Sequence, residues 1–365
     1  RLHVDPTWGC AYRRATIGTG AMTQGKVGGI VQSPKQSAGR VVAVTGPRTF
    51  LGKNLLGLCE EDERIRRLIV IDHETPISAG AKTRSYAVDR TQPDAAAKLS
   101  EIFAAESVDS VVHLGFLDSP IRNTAWAHEL ESVGTLHLLN ACRERGVKKL
   151  VLGSSCSLYG PHPDNPNFLG EDHPLRGLRG TPFLADKIDA ERQFEAYGRE
   201  VRDASVTVLR FAPLLGPTVE SYVTRWLALR TVPTLLGFDP LVQCVHEVDA
   251  LGALRLAVQR DVPGTFNIAA DGVLPISTVI KLAGRTSFPV PHFMAHRLAS
   301  VMWPLGLVDV PASMLRYLRY LCVADTSRAR AHLGILPAYT TREAVLEFGA
   351  TLRLREARLL TEAYG

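Results

Sequence analysis

The chain has 365 residues, 45% hydrophobic and 22% charged, with a formal net charge of +5. That length suits one or two domains with a large core. No uninterrupted apolar run of about 18 residues suggests a membrane span, and the opening residues lack the charged-then-apolar pattern of a secretory signal. Five cations against Asp5 load most of the charge into residues 1–39, and a nearly neutral body argues against a dedicated nucleic-acid binder.

Residues 1–39, rich in Gly, Thr, Gln and Ser, read as a flexible tail or an expression-derived leader. Regular patterning begins at Arg40. Short β-branched runs at 41–45 (VVAVT), 67–71 (RLIVI), 109–114 (DSVVHL), 148–154 (KKLVLGS) and 205–211 (SVTVLRF) alternate with helical stretches at 94–106, 124–146 and 186–201. Such alternation predicts an α/β fold, a doubly wound parallel sheet with helices on both faces. After about residue 215 the pieces are short and Pro and Gly frequent. The expected division is a nucleotide-binding domain over 40–215, a smaller α+β substrate-binding cap over 216–345 that interleaves with it, and a C-terminal helix over 346–365. Cys10, Cys59, Cys142, Cys156, Cys244 and Cys322 show no CxxC spacing. They read as free thiols of a cytoplasmic protein, with no disulfide framework and no metal site.

In open α/β sheets, ligands bind beyond the carboxyl ends of the strands. The loop after the first strand, VTGPRTFLG, places Gly46 and Gly52 where a tight turn and a close approach of backbone to pyrophosphate are needed, at a helix N-terminus that favours the charge. The middle glycine of the usual TGxxGxxG pattern is Thr49. Asp72, ending the second strand, suits a ribose hydroxyl and repels a 2′-phosphate, which favours NAD over NADP. Arg48 is the counter-signal, a cation in the glycine loop able to meet a 2′-phosphate.

In order along the chain stand TGxxxxLG, Asp72, YAVDR with Asp89, VVHLG, SSCSLYG, the Lys of FLADK, RFAPLLGP, HEVDALGA and TFNI. From about residue 40 to 345 the chain resembles an extended short-chain dehydrogenase/reductase of the NAD-dependent epimerase/dehydratase family, and is most similar to UDP-glucose 4-epimerase-like members. The resemblance implies a Rossmann domain binding NAD and a C-terminal substrate domain. It implies cofactor contacts from Gly46, Arg48, Thr49, Phe50, Leu51, Gly52 and Asp72, with Asp89 near the adenine and Leu114, Gly115 and Phe116 over the cofactor.

Members of that family use a Ser or Thr, a Tyr and a Lys together. The Tyr phenolate exchanges a proton with the substrate hydroxyl, and the Lys lowers the phenol pKa and holds the nicotinamide ribose. An unperturbed Tyr, titrating near pH ~10, needs that help to act as a base at neutral pH. By resemblance Ser155 is the Ser position, Lys187 the Lys position, and Phe183 stands where the Tyr belongs. Phe183 neither gives nor takes a proton, so catalysis is expected to be atypical or impaired. Tyr159, four residues after Ser155, is the candidate substitute acid, although the resemblance implies a structural Tyr there, packed beside the sheet end. His113 reads as structural and His173 as solvated. Glu131 stands where members often have Asn. Cys156 and Ser157 stand where sugar-nucleotide dehydratases carry an Asp-Glu pair, which argues against elimination chemistry.

On the substrate side, Arg210 suits either a ligand or a sheet-end network, and His246 is a second candidate ligand contact, although by resemblance His246 and Asp249 belong to an element that stabilises the C-terminal domain; Asn267 reads as structural. The stretch 288–322 is unusually apolar, and fits either core and lid packing or a lipid-like substrate and membrane-surface contact. The expectation is an NAD-binding protein acting on a hydroxyl or keto group of a sugar nucleotide or lipid-like small molecule. A non-catalytic NAD-binding regulator or scaffold is the alternative. A homodimer through the helices at 124–146 and 186–201 is also expected.

Overall fold

The structure, a computed structural model, describes residues 39–74 and 80–364, with side chains to 358. The leader and Cys10 lie outside the described residues. The first half runs β1 (Arg40–Thr45), α1 (Phe50–Glu61), β2 (Ile65–Asp72), β3 (Thr83–Ala87), α2 (Ala95–Glu106), β4 (Ser110–His113), α3 (Thr124–His128), α4 (Gly134–Arg145), β5 (Lys149–Ser155), α5 (Pro182–Glu200) and β6 (Ser205–Phe211). The second half runs β7 (Leu214–Leu215), α6 (Tyr222–Ala228), β8 (Thr231–Leu235), β9 (Leu241–Val242), β10 (Val245–His246), α7 (Glu247–Gln259), β11 (Gly264–Ile268), β12 (Leu274–Pro275), α8 (Ile276–Leu282), β13 (Thr286–Val290), α9 (His292–Met302) and α10 (Thr341–Tyr364).

Seven parallel strands form one sheet in the order β11-β6-β5-β4-β1-β2-β3. The five strands read from β-branched runs all lie in it. Its interior is buried on both faces, which explains why β1 is apolar at successive positions instead of alternating. On one face Leu55 and Leu56 of α1 and Ala250 and Leu254 of α7 join the core. On the other, Leu99 and Phe103 of α2, Leu138 and Leu139 of α4 and Phe194 of α5 do so. The fold is thus the expected Rossmann-type doubly wound sheet. β3 has no apolar run because it is the sheet's edge and half-exposed. β11 completes the opposite edge, although its sequence falls in the irregular half.

The single helix read over 124–146 is interrupted. Residues Glu129–Val133 form a π-helical turn between α3 and α4, and such turns often mark functional positions. It carries Glu131. α5 begins on Pro182 at its first turn, where a missing N–H costs nothing.

The remaining strands pair in twos, β7 with β10, β9 with β12 and β8 with β13. They pack with α6, α8 and α10 around Leu227, Val232, Ile280 and Phe348. α9 has no fully buried residue, and Phe293, Met294, Leu298 and Val301 on its outer side are exposed. No helix among the described residues is long and apolar enough to cross a membrane.

Candidate functional site

The chain winds from β1 through β2 to β3 and then crosses to β4 on the other side of β1. That reversal opens a crevice at the carboxyl ends of β1 and β4, and the two loops there touch through glycine. Gly46 has φ +72°, and a β-carbon on it would come within 2.3 Å of the Leu114 carbonyl oxygen. A β-carbon on Gly52 would lie 2.0 Å from the Gly46 carbonyl oxygen. Both positions therefore require glycine. Thr49 is the N-cap of α1: its Oγ1 accepts from Gly52 N at 3.1 Å and donates to the Gly46 carbonyl at 2.8 Å. It fastens the turn that a glycine there would leave free. Thr49, Phe50 and Leu51 line the crevice with Leu114 and Phe116. Gly115 sits behind them, its carbonyl accepting from buried Arg90 Nη2 at 2.9 Å.

At the far end of the crevice, Asp72 closes β2. Its Oδ2 receives Arg48 Nε at 2.5 Å and its Oδ1 receives the His73 backbone N–H at 2.8 Å. Arg48 also reaches Glu74 at 3.1 Å. The cation of the glycine loop is thus partnered by two carboxylates. Asp89, just past β3, accepts from the backbone N–H and hydroxyl of Thr91 at 3.0 and 2.8 Å.

At the opposite end, Phe183 and Lys187 share one face of α5, and both line the crevice with Ser155. The Lys187 ammonium lies 4.2 Å from the Phe183 ring centre and 5.0 Å from that of Phe116. It forms an ion pair with buried Glu131, and the same Glu131 oxygen accepts from Leu117 N at 2.6 Å. The other carboxylate oxygen, Oε2, is buried without a hydrogen-bond partner. Ser155 Oγ lies 2.8 Å from Ser157 Oγ. So Ser155, Phe183 and Lys187 converge on the crevice, and the cation is paired there with a carboxylate. The sequence marks Glu131 as a departure but gives no sign that it meets Lys187, because the contact joins the π turn to α5. Asp118, which no motif singles out, opens onto the same crevice. Desolvation raises its carboxyl above the ordinary value, Lys187 opposes the rise and Glu131 adds to it.

Three candidates lie elsewhere. Tyr159 is fully buried, its hydroxyl donating to Asn267 Oδ1 and accepting from Arg210 Nη1, each at 2.8 Å. Burial pushes its phenol up, and it does not line the crevice. Arg210 is buried in an ion pair with Glu191 and also donates to the Glu171 carbonyl at 2.9 Å; it ties the sheet to α5 and does not line the crevice. His246 is the buried N-cap of α7, stacked on Tyr339 at 3.8 Å between ring centres. It fastens the last third of the chain to the fold, as does Asp249, which accepts from Ala338 N and Tyr339 N at 2.8 and 3.1 Å. His113 is sealed between Thr45 and Thr135, and burial holds it well below the usual histidine range. His173 is not solvated: it is half-buried beside Tyr159, and its Nε2 has no partner. The Cys156 thiol is also buried, donating to the Arg210 carbonyl at 3.0 Å, and burial raises it well above the ordinary thiol value. No group of His, Cys, Asp and Glu among the described residues is arranged to hold a metal.

Beyond Ser157 and Tyr222 the crevice continues into a second, larger cavity of about 620 Å³ beneath α6, α9 and β13. Trp226, Leu235, Ile276, Met314 and Leu318 are among its walls, and Arg225 is its one cation among the described residues.

Comparison with known proteins agrees with this architecture. Residues 42–269 match the NAD dependent epimerase/dehydratase family. An uncharacterized protein of Mycobacterium tuberculosis is 35% identical over 312 residues, covering 84% of this chain and 82% of its own length. A 3-diazoavenalumate denitrifying reductase of a Streptomyces species is 28% identical over 308 residues, covering 82% and 96%. The structure of UDP-glucose 4-epimerase from Thermotoga maritima with UDP-glucose superposes with a TM-score of 0.64 at 20% identity, over 87% of this chain and 99% of that one. With its glycine turn, switch-point crevice and convergent Ser and Lys positions, the chain belongs to the NAD dependent epimerase/dehydratase family.

Proposed function

We propose that this protein binds NAD along the crevice and acts on a hydroxyl- or keto-bearing small molecule, with proton transfer crippled by Phe183. The glycine turn fits a pyrophosphate, since neither Gly46 nor Gly52 has room for a side chain and both adjoin the N-terminus of α1. Bound NAD supplies a two-electron hydride donor or acceptor. The chain's own part is to orient the ligands with Ser155 and Lys187 and to keep Asp72 toward the ribose hydroxyls. The relatives support the cofactor: the structures of UDP-glucuronic acid 4-epimerase from Bacillus cereus and UDP-glucose 4-epimerase from Thermus thermophilus are complexes with NAD.

The observation that carries the reading is the Lys187 ammonium over the Phe183 ring with Glu131 as its counter-ion. General acid–base catalysis contributes roughly 10²–10⁴-fold, and no phenol stands at that point to supply it. The Lys187–Glu131 pair also favours a second reading, an NAD-binding regulator without turnover, because the cation is already satisfied.

Calorimetric titration is expected to give one NAD per chain, bound more tightly than NADP; equal or reversed affinities would remove the assignment based on Asp72. Stopped-flow absorbance of NADH with sugar nucleotides and hydroxysteroids is expected to show little wild-type turnover and a gain for Phe183→Tyr. Robust wild-type turnover that survives Lys187→Ala would place the chemistry elsewhere. No turnover in any variant, with NAD binding intact, would favour the regulator.

A further inference from the structure

The inner cavity differs in kind from the crevice it joins. Apart from the Arg225 and Asp309 side chains, its walls carry no formal charge among the described residues, and those two neutralise each other. Arg225 Nε donates to Asp309 Oδ2 at 2.8 Å, and Arg225 Nη2 to Ser119 Oγ at 3.1 Å. Three polar side chains of the walls, those of Gln243, Tyr317 and Thr341, are occupied elsewhere. Gln243 donates to the Ala270 carbonyl and accepts from Ala324 N, at 3.0 and 3.1 Å. The Tyr317 hydroxyl donates to the Ser157 carbonyl at 2.5 Å, and Thr341 Oγ1 to the Gly272 carbonyl at 2.7 Å. A diphosphate would enter this space with no uncommitted cation on its walls, and burying unpaired charge costs many kcal/mol. A hydrocarbon surface would meet Leu, Ile, Val, Met and Trp at roughly 25 cal/mol for each Å² removed from water.

The roof follows the same logic. α9 turns Ala295 and Ala299 inward over the cavity, one helical turn apart. Small residues there leave room, while the larger apolar side chains of the helix point outward. At about 620 Å³ the cavity falls in the usual span of small-ligand sites, about 300–1,000 Å³.

We infer that the cavity binds an uncharged, predominantly hydrocarbon molecule of ring-system or prenyl-chain type, with its single oxygen function directed toward Ser157 at the junction with the crevice. The inference rests on the proposed cofactor site only for the direction of that oxygen; the apolar walls stand without it.

The test is titration of NAD-saturated protein, followed by tryptophan fluorescence since Trp226 is in the wall, with dehydroepiandrosterone (a rigid ring system), geranylgeraniol (a flexible chain) and UDP-glucose. At least one apolar alcohol is expected to bind at micromolar concentration, and UDP-glucose at least tenfold more weakly. Ala299→Trp, which fills the roof, is expected to weaken the apolar probe at least tenfold while calorimetric NAD affinity and far-UV circular dichroism stay at wild-type values. Val290→Phe from β13 fills the same space if the α9 variant misfolds. Tighter binding of UDP-glucose than of both alcohols, or apolar binding indifferent to a folded cavity-filling variant, would overturn the inference. Apolar binding without any NAD binding would overturn the cofactor reading and leave this one in place; NAD binding with neither alcohol bound would do the reverse.

Discussion

Glu131 and Phe183 meet at one place, on either side of Lys187. A lysine that serves a phenol must leave its charge available to that phenol. On the proposed function Phe183 takes the phenol's place, and with a carboxylate at the π turn Lys187 is satisfied within the protein. Phe183→Tyr alone would set its new hydroxyl beside a cation already held by Glu131, and the depression of its pKa from about 10 would be partial. Phe183→Tyr with Glu131→Asn is therefore expected to turn over faster than Phe183→Tyr alone, with a lower apparent pKa in the pH–rate profile. Identical profiles would show that Glu131 does not compete for the lysine. Arg210 gives the opposite case, a residue that looks like a ligand contact and is structural. Arg210→Met leaves Glu191 charged and buried without its partner, which is expected to cost about 3–5 kcal/mol of stability in denaturant melts. Because Arg210 does not line the crevice, NAD binding by the folded fraction is expected to be unchanged.

Between elements, the helix containing Lys187 is held by a titratable clip. His128 at the end of α3 pairs with Asp186 of α5 at 2.7 Å, and that hydrogen bond raises the imidazole pKa above its ordinary value. A raised folded-state pKa gives a contribution fully present below the unfolded value of about 6.5 and lost as pH rises through the folded one. Stability measured by urea melts is therefore expected to fall as pH rises above about 6.5, and His128→Asn to flatten that part of the profile. An unchanged slope would show that the half-exposed pair is screened. Glu106 behaves with the other sign. Desolvation works against its charge, yet hydrogen bonds from Tyr86, Arg84 and Arg67 hold its carboxyl down to about 2. It fastens β2 and the edge strand β3 to α2 at neutral pH, and that contribution fades as pH falls from the ordinary carboxylate range toward 2.

For the whole molecule, the sheet's α2–α4–α5 face leaves Trp126 and Leu136 exposed on α3 and α4. Pairing of these helices with those of a second copy would cover both, and light scattering at micromolar concentration is expected to give twice the chain mass. A monomer at that concentration would leave those side chains to solvent.

The sequence by itself determined the doubly wound sheet, because strands buried on both faces must be apolar throughout and their β-branched runs are visible without a fold. It determined the glycine turn as well, since Gly46 and Gly52 are demanded by backbone contacts close along the chain or between adjacent strands. It also located Phe183 and Lys187 on one helical face, a spacing rule that needs only the α-helix period. Only the tertiary structure decided what those residues meet. β3 and β11 carry weak local signals because they are sheet edges. Tyr159, Arg210 and His246 resemble site residues until their partners are seen to be Asn267, Glu191 and Tyr339, each many residues away. The Glu131–Lys187 pair joins a π turn to α5, and the apolar cavity gathers walls from α6, α8, α9 and the segment before β7. Such contacts depend on chain crossings and on the burial they create, and neither has a period that one stretch of sequence can display.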